Sequence, residues 1–143
     1  MAMECSQLMQ PEPEVVIPED RLLDALNLMR AHNVGSMPVV DSRATRVPLG
    51  IITDRDAALY LAQHDERPSE VLCRQVMSRP VIFVAPSDDV KTAEEKMRQH
   101  QLRRVLVVQE NRLVGIISQA DFAREKPKEA QKILEDVSQP KAA

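Results

Sequence analysis

The stretch Gly50-Ile51-Ile52-Thr53-Asp54-Arg55-Asp56 is an apolar run ending on a hydroxyl residue, with a carboxylate three positions later. It reads as a buried strand feeding directly into a helix, with Thr53 at the N-cap and Asp56 at N3. Taken alone, the pattern is explained by a capping box, in which hydroxyl and carboxylate satisfy free N–H groups of the first helical turn. The arrangement returns as Gly115-Ile116-Ile117-Ser118-Gln119-Ala120-Asp121, with Ser118 at the N-cap and Asp121 at N3.

Outward from these two copies the chain matches itself over a long distance. From Leu8 to Asp41 it repeats without a gap at a spacing of 68 residues: Met9 falls on Met77, Pro18 on Pro86, Met29 on Met97, His32 on His100, and Val39-Val40 on Val107-Val108. After a three-residue length difference in a turn, the spacing becomes 65, which carries Gly50 onto Gly115 and Asp56 onto Asp121. Two units at so long a period mean internal duplication, not a solenoid array. The units are expected at 8–64 and 76–137, the second including a C-terminal helix. Residues 65–75 form a linker with a short helix.

Each unit reads as strand, helix, strand, strand, helix. Val15 to Ile17 form a short strand ended by Pro18, which cannot continue a ladder. Glu19 and Asp20 open a helix whose apolar face is Leu22, Ala25, Leu26 and Met29. The second copy uses Phe83-Val84, a cap at Ser87 or Asp88, and a face of Val90, Ala93 and Met97. Paired strands follow: Met37 to Val40 with Val47 to Ile52, and Val105 to Val108 with Leu113 to Ile117, the latter joined at Glu110-Asn111. Gly50 and Gly115 inside strands mark a close approach by another backbone or a ligand. The next helix runs from about Asp54 to Gln63. Ser69 is expected to cap a short helix leading to Met77, and Pro127 to sit at N1 of a last helix. Ser138 to Ala143 are expected to fray, and residues 1–7 carry no readable signal.

Composition narrows the function classes. The 143 residues are 43% hydrophobic and 29% charged, ordinary for a globular domain. Two Phe, one Tyr and no Trp leave the core to Val, Ile, Leu, Met and Ala and remove the stacking platforms of single-strand nucleic-acid binders. A net charge of −3 gives no basic field, so no nucleic-acid partner is expected. No apolar stretch approaches membrane-spanning length and no leader pattern opens the chain, so a cytoplasmic location without membrane association is expected. Cys5 and Cys73 have no partner at ligand spacing and read as inert thiols. His32 and His100 are explained by the duplication and Met29 and Met97 as core, so no metal is expected.

The Met37-Pro38-Val39-Val40-Asp41 run and the two Gly-Ile-Ile-Thr/Ser-x-x-Asp turns, in this order and twice over, resemble the cystathionine-β-synthase (CBS) domain. The whole resembles a stand-alone tandem CBS pair across roughly Leu8 to Ala123. The resemblance implies an α+β fold, a duplicated β-α-β-β-α pair with pseudo-two-fold symmetry and two clefts between the repeats. It also implies homodimerisation through the helices and binding of adenosine-containing ligands.

The turns suit that chemistry. An ionised carboxylate is acceptor-only, and a ribose offers two adjacent hydroxyl donors. Thr53 and Asp56, and Ser118 and Asp121, are therefore the ribose candidates. Arg103 and Arg104 precede the second unit's middle strand, where family members place a basic pair facing phosphates, and two guanidinium forks suit phosphate oxygens. The first unit carries Gly35-Ser36 there. The resemblance assigns an adenine slot to Ser36, Met37 and Pro38, and to Met77, Ser78, Ile82 and Val105. The positions equivalent to Met77, Ser78 and Ile82 are Met9, Gln10 and Glu14. A charged Glu14 beside an apolar slot costs desolvation unless it turns to water, so one pocket is expected to be degenerate.

The sequence thus implies a regulatory module that needs no cofactor, binds AMP, ADP, ATP or a related adenosyl ligand, and signals to an effector protein. The alternative is a ligand-free interaction module in which the aspartates act only as caps. No catalytic triad, phosphate-cradling glycine loop or metal cluster can be placed, so an enzyme is not expected.

Overall fold

A computed structural model describes residues 2–79, 81–125 and 127–137. In chain order the helices and strands are α1 (Cys5–Leu8), β1 (Gln10–Pro11), α2 (Leu22–His32), β2 (Ser36–Val40), β3 (Pro48–Thr53), α3 (Asp54–His64), α4 (Cys73–Val76), β4 (Phe83–Val84), α5 (Val90–Gln99), β5 (Arg104–Gln109), β6 (Arg112–Ser118), α6 (Gln119–Glu125) and α7 (Pro127–Val137). Ser138 to Ala143, expected to fray, lie outside the described residues. The mixed architecture is the duplicated α+β order read from the sequence.

The chain forms two compact units, one of residues 14–81 and one combining residues 1–13 with 82–143. In the first, β2 and β3 are an antiparallel hairpin with Met37 opposite Ile52. Val16 lies parallel to Val39 on one side, and Ser78 lies antiparallel to Ile51 on the other. Leu22, Ala25 and Met29 of α2 cover this sheet together with Val71, Cys73 and Val76, and Tyr60 packs against this core from its edge, half-buried. The expected strand at Val15 to Ile17 reduces to the single bridge at Val16.

The second unit repeats the plan with longer pairing. Its sheet runs β1-β6-β5-β4, with β4 parallel to β5 and the rest antiparallel. Glu110 and Asn111 have φ of 50° and 65°, the pair of left-handed residues that a tight type I′ hairpin requires. Cys5, Leu8, Val84, Met97, Phe122 and Ile133 are among the buried residues of its core.

Residues 3–7, within the stretch unreadable in the sequence, are part of the duplication. The Cys5 N–H donates to the Asp88 carbonyl at 2.8 Å, and the Cys73 N–H donates to the Asp20 carbonyl at 2.8 Å. Val90 N–H donates to the Met3 carbonyl as Leu22 N–H does to the Val71 carbonyl. Each repeat's leading segment therefore packs in the unit that holds the other repeat's paired strands. Met77 and Ser78 flank β3, whereas Met9 and Gln10 flank β6. This explains the two strand glycines. A Cβ at Gly50 would stand 2.8 Å from the Ser78 carbonyl oxygen, and one at Gly115 would overlap the Met9 side chain. The close approach is by protein in both cases.

Local caps differ from expectation at two places. Leu72 occupies the N-cap of α4, while Ser69 falls in a 3-10 turn over Pro68–Glu70. Asp89, not Ser87 or Asp88, caps α5 by accepting from the Lys91 N–H at 2.9 Å. Asp88 instead accepts from the Ala85 N–H at 2.8 Å, fixing the chain just before the helix.

Candidate functional site: two strand-to-helix turns

Thr53, Asp56, Ser36, Met37, Pro38, Met77 and Ser78 all belong to the unit of residues 14–81. Ser118, Asp121, Arg103, Arg104, Val105 and Ile82 belong to the other. Met77 and Ser78, grouped by sequence with Ile82, are thus brought to the Thr53–Asp56 turn's unit instead.

In both units a strand runs straight into a helix, and a peptide bond locks the junction from the neighbouring strand's entrance. Asp54 N–H donates to the Gly35 carbonyl at 2.9 Å, and Gln119 N–H donates to the Arg103 carbonyl at 2.8 Å. The capping box forms in both. Asp56 N–H donates to Thr53 Oγ1 at 3.0 Å, and the Thr53 N–H points back to Asp56 Oδ2 at 3.4 Å. In the second copy Asp121 N–H donates to Ser118 Oγ at 3.3 Å. Ser118 returns its own N–H and its hydroxyl to Asp121 Oδ2, at 2.8 and 3.0 Å. Capping therefore uses one carboxylate oxygen, Oδ2, in each copy.

The other oxygen separates the two turns. Asp56 is half-buried, and among the described residues no group donates to its Oδ1. Asp121 is 2% exposed, and its Oδ1 is taken twice, by Gln10 Nε2 at 3.0 Å and Arg124 Nη2 at 2.9 Å. Arg124 Nε also meets Glu125 Oε1 at 3.4 Å. The hydrogen bond to Asp121 raises the Arg124 pKa. Burial lowers the Arg104 pKa, opposed by attraction to Asp121. Arg103 is exposed.

The remaining site candidates vary in what they offer. Ser36 and Pro38 are buried, and Met37 at 2% exposed belongs to the core. Val105 at 1% exposed is likewise core, with Ile82 packed against that core. Met77 is half-buried beneath Gly50, and the exposed Ser78 donates its hydroxyl to the Ile51 carbonyl at 3.3 Å. Glu14 turns outward, its side chain 57% exposed, so the desolvation expected of it does not arise. A groove of about 480 Å³ runs along α2 beside the Arg43–Asp20 ion pair, but none of the predicted residues lines it.

Sequence reasoning did not single out Arg124 or the role of Gln10. Arg124 was legible as the i+3 neighbour of Asp121 on a helix, a spacing at which opposite charges meet. Gln10 was not, since its partner lies 111 residues away. Among the described residues no group of three or more His, Cys, Asp or Glu is placed to hold a metal ion. Nor is any helix among them long and apolar enough to cross a membrane.

Known proteins share this fold. The CBS domain family model matches residues 5–63 and 73–128, starting at the two equivalent cysteines. The CBS domain-containing protein YhcV of Bacillus subtilis (strain 168) is 35% identical over 115 residues, which are 80% of this chain and 79% of that protein. The crystal structure of Hypoxic Response Protein I, which holds two coordinated zinc ions, superposes with a TM-score of 0.78 at 27% identity, over 87% of this chain and 100% of that one. The CBS domain pair of MJ0100, solved with 5′-methylthioadenosine and S-adenosyl-L-methionine, superposes with a TM-score of 0.72 at 25% identity, over 90% of this chain and 98% of that one. With two family matches over most of its length and the same fold in both repeats, the chain belongs to the CBS domain family as a tandem pair.

Proposed function

We propose that the chain is a non-enzymatic regulatory module that binds an adenosine-containing ligand and passes its binding state to a partner protein. The observation that carries this reading is Asp56 Oδ1, a carboxylate oxygen in the Thr53 capping box to which no described residue donates. A ribose diol supplies the donors that such an acceptor lacks. Ser36, Met37, Pro38, Met77 and Ser78 lie in the same unit and are the candidates for the base. At the second turn Ser118 and Asp121 face the sugar, Arg103 and Arg104 the phosphates, and Ile82 and Val105 the base. The adenosyl ligands of the MJ0100 pair support the same ligand class. AMP, ADP, ATP and their adenosyl relatives are the compounds to try, acting as regulatory ligands, with no cofactor required.

A ligand shifts such a module only through unequal affinity for its states, so the output depends on a partner that distinguishes them. Homodimerisation through the helices has support in the exposed Leu23, Leu59 and Leu134, which sit on α2, α3 and α7.

The test is a thermal-shift panel of adenosyl compounds followed by calorimetry on protein stripped of ligand by unfolding and refolding. Binding weakened by Asp56→Asn is expected. Silence across the panel overturns the reading. It then leaves the ligand-free interaction module, which the internally filled carboxylate of Asp121 favours.

A further inference from the structure

The two turns share a skeleton and differ in charge. Around the second turn stand Arg103, Arg104 and Arg124 against Asp121 and Glu125, a balance of +1. The equivalent positions of the first are Gly35, Ser36, Leu59, Asp56 and Tyr60, and its own helix start adds Asp54 and Arg55, a balance of −1. The carboxylate oxygen that is open at Asp56 is held at Asp121 by Arg124 and Gln10.

We propose that Arg124 makes the Ser118–Asp121 turn selective for a phosphate-bearing ligand, whereas the Thr53–Asp56 turn accepts an adenosyl compound without phosphate. This deepens the adenosyl reading and rests on it. A sugar hydroxyl that reaches Asp121 Oδ1 competes with both Gln10 Nε2 and the Arg124 guanidinium, and a diol that takes both places opens the ion pair. Glu125 meets only the Nε edge of that guanidinium, at 3.4 Å, so the freed Nη2 edge passes to water or to a new anion. A phosphate is such an anion and suits the bidentate geometry that guanidinium groups favour, and the exposed Arg103, whose carbonyl accepts from the Gln119 N–H, brings a second cation to the same turn. An uncharged nucleoside breaks the same ion pair and leaves that edge to water. At the first turn the position of Arg124 is Leu59 and that of Gln10 is Ser78, whose hydroxyl is turned to the Ile51 carbonyl. Among the described residues no ion pair has to open there.

The experiment uses the full chain carrying Asp56→Asn, so that the second turn dominates, and measures AMP and adenosine by calorimetry. AMP is expected to bind more tightly than adenosine. Adding Arg124→Gln should narrow that preference by roughly five-fold, the scale of a partly exposed ion pair, by weakening AMP and strengthening adenosine. Arg124→Lys keeps the charge without the fork and should retain most of the preference. An unchanged AMP-to-adenosine ratio in Arg124→Gln, with circular dichroism as for the parent, overturns the inference. So does a Lys variant that behaves like the Gln variant. Wild-type protein that binds neither compound removes the adenosyl reading itself, a different failure from an unchanged ratio.

Discussion

Replacing each aspartate by alanine separates a carboxylate that holds its unit together from one that mainly caps a helix. At position 56 the loss is small. The Asp56 N–H to Thr53 Oγ1 bond survives in Asp56→Ala, because it uses backbone nitrogen and the threonine hydroxyl. Only the long 3.4 Å contact from the Thr53 N–H disappears. That is the lower end of a capping loss, about 0.5–1 kcal/mol.

At position 121 the carboxylate accepts from Ser118 twice and from Gln10 and Arg124 once each, while 2% exposed. Gln10 and Arg124 are exposed enough to return to water. The Ser118 N–H and hydroxyl lose a charged acceptor at the buried end of β6, and Arg104 loses the negative charge that offsets its burial. Charge-assisted bonds to a buried group are worth about 1.5–3 kcal/mol, so Asp121→Ala should cost about 2–3 kcal/mol. For a chain of this size that is a melting-temperature drop of about 7–10 °C, against about 3 °C or less for Asp56→Ala. Differential scanning calorimetry gives both numbers, and urea titration with an unchanged m-value checks that the comparison holds within one cooperative transition. Equal drops at the two positions, or a larger one at Asp56, would refute the assignment of unequal roles.

Gly50→Ala should destabilise by about 1–3 kcal/mol in urea titration, and Met77→Ala should not rescue it, because the nearest obstacle is the Ser78 carbonyl. Gly115→Ala meets the Met9 side chain instead, so Met9→Ala should recover most of its loss. Deleting residues 1–11 removes buried Cys5 and Leu8 together with the Gln10 bond. Hydrogen exchange should then quicken in α5 and β6 while β2 and β3 keep their protection. Burial pushes the Cys5 thiol up to about 11 and the Cys73 thiol up to about 12, from an ordinary 9.0. The folded state disfavours thiolate, so stability is unaffected below pH 9 and falls as pH rises toward those values, by about 1.4 kcal/mol per pH unit for each thiol. Cys5→Ala with Cys73→Ala should flatten that alkaline slope in denaturant titrations at pH 8 to 11.

What could be read in advance was whatever repeats or alternates locally. The hairpins, the helix faces at Leu22, Ala25 and Met29, and the strand-to-helix turns each leave a short periodic signature, and duplication shows it twice. The leading segments leave none. A two-residue strand that contains Pro11 has too little length for alternation, and its partner Ile116 is fixed by packing far along the chain. The same limit hid the 68-residue match of Cys5 with Cys73: each thiol looked isolated because its significance lies in an equivalent backbone bond, not in a nearby ligand. Site chemistry was legible as residue type but not as occupancy. Thr53 and Ser118, Asp56 and Asp121 look interchangeable in sequence, and Gln10 and Arg124 make them different.

That difference bears on why an aspartate stands at position 56. Capping needs one acceptor there, which the amide oxygen of asparagine also supplies. The positive end of the α3 dipole favours acid in the first turn, but Asp54, exposed and one residue into the helix, already answers it. A second carboxylate in the same turn adds like-charge repulsion, and among the described residues its Oδ1 gains no donor in return. At position 121 the charge is accounted for by Arg124 and Arg104, so the protein alone explains it. At position 56 no described residue accounts for it, which supports the proposed role of a ribose hydroxyl pair as the donor from outside the chain.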